Sequence, residues 1–331
     1  MSVNRPLVIG HRGAPGYLPE HSRASYDLAL AAGVDAVEPD VVFTADRIAV
    51  VRHENEIGST TDVADHPEFA SRRATKVVDG APLTGWFTED FTWDELATLR
   101  CRERLPHLRP GSAASDRGQP ILRLRELLDL VAAAPAGAGV VLEVKHATYF
   151  GSIGYDVAGL LADELRSAGW DAGARPLVIE SFEEWILHEL RGRSIRARYV
   201  YLLEAEGSAW DLRAAEGDDA PTYADQLTPE GLDLLAGEVD GISLDKRIVL
   251  EHPSVVADAH RRGLEVFVWT CRPENAFLDP RFRGPGGDAA FGDWEGEWRR
   301  IAETGVDGVF VDHPDLGVAF FAHPGRSADA R

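Results

Sequence analysis

Short apolar runs alternate with stretches whose apolar residues recur at helical spacing along almost the whole chain. This alternation is the signature of βα units, because strands covered by helices on their outer face and packed inside a barrel read as nearly continuous apolar runs. It predicts strands at Pro6–Gly10, Ala36–Val42, Ile48–Arg52, Val140–Lys145, Pro176–Ser181, Arg198–Leu203, Gly241–Leu244, Glu265–Thr270 and Gly308–Asp312. Eight parallel strands close a TIM barrel, a (β/α)8 fold, so one of the nine is surplus. Helices are predicted over Ser22–Ala32, Leu124–Ala133, Val157–Ala168, Glu183–Arg191, Pro229–Ala236 and Val255–Arg262. Gly33 falls where the first of these needs a left-handed residue to end. A faint echo supports a repeated unit: Gly33-Val34-Asp35-Ala36-Val37-Glu38-Pro39-Asp40 resembles Gly305-Val306-Asp307-Gly308-Val309-Phe310-Val311-Asp312.

Two segments break the rhythm. Glu54–Pro120 is too long for an ordinary βα loop and is predicted to be an inserted subdomain. Its aromatics Trp86, Phe87, Phe91 and Trp93 are expected to form a small core of their own. Arg272–Glu297, rich in Gly, Pro and aromatics, reads as a second, smaller excursion. The expected organisation is a barrel over residues 1–321, interrupted at 54–120, with a flexible tail at 322–331.

Composition narrows the function. Of 331 residues 44% are apolar and 27% charged, as in an ordinary globular protein. Acidic residues outnumber basic ones 55 to 34, for a formal charge of −21. Such a surface repels phosphate backbones and anionic lipid, so neither a nucleic acid nor a stable membrane association is expected, and the partner is a small molecule. A pocket can still take an anion if a metal or local Lys and Arg reverse the sign there. Cys101 and Cys271 lie 170 positions apart and make neither a zinc spacing nor a disulfide framework, so both are read as reduced thiols. No signal-peptide pattern and no run long enough to span a bilayer is present, and the expected location is cytoplasmic.

The candidate chemistry sits at strand ends. Side chains two apart on a strand share a face, so Glu38 pairs with Asp40 and Glu143 with Lys145. His11-Arg12 closes the first strand and His53 follows the third. In a barrel, these ends gather at the catalytic face. Glu38, Asp40 and Glu143 together would need a compensating cation, and oxygen ligands without Cys suit Ca²⁺ or Mg²⁺. Arg12 and Lys145 would add donors for phosphate oxygens, and His11 and His53 could exchange protons near neutral pH. The set points to phosphoryl-ester chemistry.

The ordered motifs make the resemblance specific. His11-Arg12-Gly13, Pro19-Glu20-His21-Ser22, Glu38-Pro39-Asp40, Val51-Arg52-His53-Glu54, Glu143-Val144-Lys145, Trp269-Thr270 and Val311-Asp312-His313-Pro314 follow one another across residues 7 to 316. In that order the chain resembles the glycerophosphodiester phosphodiesterase family, in its longer bacterial type with an insertion after the second histidine. The family pattern reads Asn-Thr where this chain has His21-Ser22, and Asp where it has Glu54. The resemblance implies hydrolysis of a glycerophosphodiester, such as glycerophosphocholine or glycerophosphoethanolamine, to sn-glycerol 3-phosphate and an alcohol. It implies His11 and His53 as the catalytic pair, with His53 the acid and His11 the base. One divalent metal is expected on Glu38, Asp40 and Glu143, Ca²⁺ before Mg²⁺. Substrate contacts are expected from Arg12, Lys145 and Trp269. A related barrel that cyclises its substrate, or a barrel that binds phosphodiesters without turnover, are the alternatives. Asp312, His21, His146 and His313 are read as structural neighbours of the motifs, and Glu20 as either a helix cap or a support for the His11-Arg12 turn.

Overall fold

The computed structural model describes residues 5–134 and 137–321; the expected tail at 322–331 lies outside the described residues. Twelve strands are described: β1 Leu7–His11, β2 Ala36–Glu38, β3 Asp40–Phe43, β4 Ala49–Val51, β5 Ala74–Val78, β6 Ala81–Gly85, β7 Gly139–Val144, β8 Leu177–Ser181, β9 Arg198–Leu203, β10 Gly241–Asp245, β11 Glu265–Cys271 and β12 Gly308–Val311. Parallel pairing runs from β1 through β12, β11, β10, β9 and β8 to β7, and β2 closes the ring by pairing both β7 and β1. The result is a closed eight-stranded parallel barrel wrapped by helices.

β2 and β3 are two halves of one stave. Pro39 divides them, because it has no N–H to give to the ladder. Its carbonyl still accepts from the Glu143 N–H at 2.9 Å, so the stave continues across the break. The surplus strand among the nine predicted is β4, which folds back antiparallel on β3 with Val41 opposite Val51. Only residues 44–48 join the two, too few for the crossover that a parallel neighbour requires.

The barrel interior explains why the site lies where it does. Ile9, Ala36, Val141, Val178, Val200, Phe267 and Phe310 fill it as one apolar layer. Two residues further along the same strands come His11, Glu38, Glu143, Glu180, Leu202, Trp269 and Asp312. Alternation places this second set inward again, directly on the apolar plug and at the C-terminal mouth. Outside, the helices bury single faces: Leu124–Ala132 buries Leu124, Leu127, Leu128 and Val131, the i, i+3, i+4, i+7 stripe that docks a helix on a sheet. Gly33 ends the first helix at φ 86° as expected.

Between β4 and the helix at Leu124–Ala132 the chain forms 3₁₀ turns at Val63–Asp65 and Pro67–Arg72, the antiparallel hairpin β5–β6, and short helices. Asp79 and Gly80 turn the hairpin with φ of 47° and 77°, the Asp-Gly turn that suits two twisted strands. The expected separate core is not separate. Phe87 and Phe91 are fully buried in the one cluster that forms the core between barrel and helices, and Trp86 and Trp93 pack partly buried against that same cluster. These aromatics have the barrel's own outer face to bury against, so the segment needs no core of its own. The second excursion is knitted by Asn275, whose side-chain amide donates to the carbonyls of Gly284 and Gly287. Cys101 and Cys271 are buried free thiols. No described helix is long and apolar enough to cross a membrane.

Candidate active site

His11 stands at the end of β1, buried, with Nδ1 2.7 Å from Asp312 Oδ1. Asp312 follows β12 and also accepts from Arg109 at 2.6 Å and Arg272 at 2.7 Å. Burial works to raise the Asp312 carboxyl, and Arg272 and Arg109 outweigh it, so it stays well below the usual carboxylate range. An ionised Asp312 takes a proton donated from Nδ1, which leaves the lone pair of His11 on Nε2. Asp312 therefore orients a ring rather than merely ending a strand.

His53 sits just past β4, with Nδ1 2.6 Å from Glu54 Oε1 and Nε2 3.5 Å from the Lys145 ammonium. Burial first, and the nearby Arg12 charge second, lower His11 to about 4 and His53 to about 3. Lys145 adds to the effect on His53. Both rings are neutral at neutral pH.

Ladder register assembles the carboxylates. Glu38 is level with His11, Asp40 with Glu143, and Glu143 with Glu180. Oxygens of Glu38, Asp40 and Glu143 all lie within 4.8 Å of one another, and all three residues are buried. Burial and then repulsion from Asp40 and Glu143 hold the Glu38 carboxyl well above its ordinary value. Burial also lifts Glu143 to about 8, with Asp40 adding to it and Lys145 opposing it. Glu38 Oε1 and Asp40 Oδ1 are buried without a hydrogen-bond partner among the described residues. Buried polar atoms are rarely left bare, and three crowded carboxylates, two of them with a bare oxygen, are the donor set of a hard divalent cation. The residues present fit such an ion.

Glu180 was not singled out from the sequence. It is buried, lines the cavity, and has a bare Oε2. Its signal was an acid on the inward parity of the otherwise apolar strand β8, the same parity that placed Glu143. His21 was read as structural, yet its Nε2 lies 2.8 Å from Asp40 Oδ2 and its Nδ1 2.7 Å from the Tyr26 hydroxyl. It stands where the family pattern has Asn and braces one carboxylate of the cluster. Glu20 supports the His11-Arg12 turn: it accepts from Arg12 at 3.2 Å and from Arg104 at 2.6 and 3.0 Å.

Arg12 and Lys145 also reach the cavity. The Lys145 ammonium donates to Glu143 at 2.8 Å, and the Arg12 Nε is 3.4 Å from Asp40. Burial opposes both charges, and the surrounding carboxylates outweigh it and raise both pKa values, so both stay cationic. Trp269 is half-buried; its indole N–H donates to the Ser243 carbonyl at 3.3 Å while its ring lines the cavity beside Phe182. It both packs and forms wall. His146 bonds Asp79 and Glu54, whereas His313 is packed between Tyr17 and Phe291. Arg12, His21 and His146 all adopt left-handed backbone, at φ 56°, 57° and 53°. Non-glycine residues held there gather at functional sites. The cavity above this layer measures about 1170 Å³.

Residues 11–316 match the glycerophosphoryl diester phosphodiesterase family. The chain belongs to that family. A glycerophosphodiester phosphodiesterase of Arabidopsis thaliana is 28% identical over 94% of this chain and 85% of its own. A Silicibacter pomeroyi chain carrying the same family assignment superposes with a TM-score of 0.69 at 25% identity, covering 98% of this chain and 95% of that one. A phosphodiesterase of Oleispira antarctica, solved in complex with the product sn-glycerol-3-phosphate, shares the fold at a TM-score of 0.64 and 21% identity, over 95% and 96% of the two chains. As a glycerophosphodiester phosphodiesterase the protein is a phosphoric diester hydrolase, and the seven motifs read from its sequence meet at one mouth of the barrel.

Proposed function

We propose that this phosphodiesterase cleaves soluble glycerophosphodiesters, such as glycerophosphocholine or glycerophosphoethanolamine, to sn-glycerol 3-phosphate and an alcohol, by acid–base exchange between His11 and His53. The observation that carries this reading is a single constellation: two buried neutral imidazoles, each with Nδ1 against a carboxylate, beside three clustered carboxylates, two of which have a bare oxygen. The product bound to the Oleispira antarctica relative supports the glycerol 3-phosphate half.

Glu38, Asp40 and Glu143 would hold one divalent cation, which supplies Lewis-acid polarisation of the phosphoryl group when bound. Three protein carboxylates favour Ca²⁺, which fills its shell with many oxygens, over Mg²⁺, which keeps most of its waters. Arg12 and Lys145 hold the phosphate oxygens and stabilise the charge that builds on them. His11 takes a proton from the attacking water through Nε2, with Asp312 holding the imidazolium that results. The bound anionic diester raises the proton affinity of His53, so that its Nε2 takes up a proton from solvent and passes it to the leaving alkoxide as the P–O bond breaks, returning the ring to its neutral form. Trp269 walls the substrate. Residues 54–120 act as an inserted subdomain that closes one side of the mouth, since Asp79, Gly80 and Ala81 reach the cavity.

The test is turnover of glycerophosphocholine by metal-stripped protein with Ca²⁺ or Mg²⁺ added back. Metal-dependent release of glycerol 3-phosphate is expected, faster with Ca²⁺. A stable cyclic phosphate would move the protein to the cyclising class, and binding without release would make it a binder.

A further inference from the structure

Glu54 stands where the family pattern carries the shorter Asp, and the extra methylene is put to use. One carboxylate oxygen lies 2.6 Å from His53 Nδ1. The other accepts from His146 Nε2 at 3.1 Å. His146 in turn donates from Nδ1 to Asp79 Oδ2 at 2.6 Å. The four side chains form a line, His53–Glu54–His146–Asp79, from the cavity to the turn of the β5–β6 hairpin; its outer two links are hydrogen bonds, and its first is a close contact of charge type in which His53 Nδ1 is not aligned for a hydrogen bond. Burial works to raise Glu54, and its contacts with His146 and His53 outweigh that and hold it well below the usual range. Burial works to lower His146, and Asp79 and Glu54 lift it to about 9. At neutral pH the line is therefore an anion between two imidazoles, the outer one charged.

Two backbone features aim His146. It lies two residues past the end of β7 and takes left-handed backbone, which ends the strand's alternation and turns the ring towards Glu54. The far end is anchored as well. Lys76 on β5 donates to Glu89 and Asp90 at 2.8 and 2.7 Å. A Cβ on Gly80 would meet the Trp210 ring at 2.5 Å, so the turn is seated against the opposite rim.

We propose that His146 and Asp79 are positioning residues for the reaction: acting through Glu54, they fix the ring of His53 with Nε2 towards Lys145 and the substrate. The hairpin turn of the 54–120 segment is thereby part of the acid–base machinery. This rests on the reading of His53 as the acid.

The experiment compares wild type with His53→Ala, His146→Gln, Asp79→Asn, Glu54→Asp and the Glu54→Asp/His146→Gln double variant. Two substrates are used, glycerophosphocholine and a glycerophosphodiester with a p-nitrophenyl leaving group. The second needs no acid to expel its alcohol. For His146→Gln and Asp79→Asn, kcat on glycerophosphocholine should fall at least tenfold with KM within about twofold, and kcat on the p-nitrophenyl ester should change less than threefold. His53→Ala should show the same pattern, larger. Glu54→Asp, too short to span both rings, should match His146→Gln, and the double variant should be no worse than either. Equal losses on both substrates with a lowered Tm would overturn the proposal in favour of a packing role. So would unchanged kcat in both His146→Gln and Asp79→Asn while His53→Ala behaves as expected. If His53→Ala loses equally on both substrates, the acid assignment itself has failed and the proposal falls with it.

Discussion

His11 and His53 carry the same ring and the same kind of partner, a carboxylate against Nδ1, yet different parts of the chain hold them. His11 is fixed by the barrel: it ends β1, and Asp312 follows the neighbouring β12. Two arginines, Arg109 and Arg272, share the Asp312 carboxylate, so its charge is balanced before the imidazole adds anything. His53 lies beyond the surplus strand β4, and its support comes from the adjacent Glu54 and then from His146 and the hairpin turn. In the first arrangement strand register alone brings ring and carboxylate together, and Arg109 from the 54–120 segment and Arg272 only balance the carboxylate's charge. The second needs a segment outside the βα repeat to be in place. A single barrel thus uses a rigid histidine and a histidine whose setting depends on an appended loop.

Removing the rings tests the pair most severely. His11→Ala and His53→Ala should each lower kcat on glycerophosphocholine by roughly 10²–10⁴-fold, the usual worth of a positioned acid or base. Only His53→Ala should spare the p-nitrophenyl ester. Next come the carboxylate partners. Asp312→Asn keeps the shape but removes the charge that selects the His11 tautomer, and a loss of about 10²-fold or more in kcat is expected. Glu54→Gln should lose less, because His53 gives up its proton rather than accepting one at the transition state. Equal losses would erase the distinction drawn between the two sides.

Stability separates them too. Arg109 comes from the 54–120 segment, is buried, and bonds both Asp312 and Glu274 at 2.6 and 2.7 Å. Arg109→Met leaves two carboxylates without this partner and should destabilise by about 3–5 kcal/mol in urea unfolding. His146 gives the smallest and most conditional effect. Its folded pKa of about 9 lies above its ordinary 6.5, raised by Asp79 and Glu54 against its burial, with His53 and Lys145 nearby. Protonation therefore favours the fold, and the contribution is complete below pH 6.5 and is lost as pH rises through 9. Its size is on the order of 3 kcal/mol. The stability gap between wild type and His146→Gln should close across that window, and a gap independent of pH would contradict it.

Most of the His11 side was legible along the chain. The strand pattern located β1, β7 and β12, and parity alone paired Glu38 with Asp40 and aimed Glu143 inward, because alternation on a strand is a property of neighbouring residues. The same parity pointed to Glu180, which the motif order passed over. Asp312 was placed correctly at a strand end, but its bond to His11 spans 301 positions, and nothing local encodes it. The nine strand candidates could not be reduced to eight by pattern, since β4 is as apolar as its neighbours; the short 44–48 connection decided the matter in space.

His21 and His146 mark the boundary clearly. Each was visible as a histidine beside a motif. Whether such a ring meets a carboxylate or the packed core depends on left-handed backbone at one residue and on a partner brought in from elsewhere. The sequence by itself determined the barrel, the seven motifs and the strand ends that carry them, because period-two alternation and turn chemistry act over a few residues. The tertiary structure decided which ionisable groups touch: the bracing of Asp40 by His21, the arginines on Asp312, and the line from His53 to Asp79. Those contacts follow from barrel closure and from the docking of one long segment, and their strength depends on exclusion of water, which no stretch of sequence achieves alone.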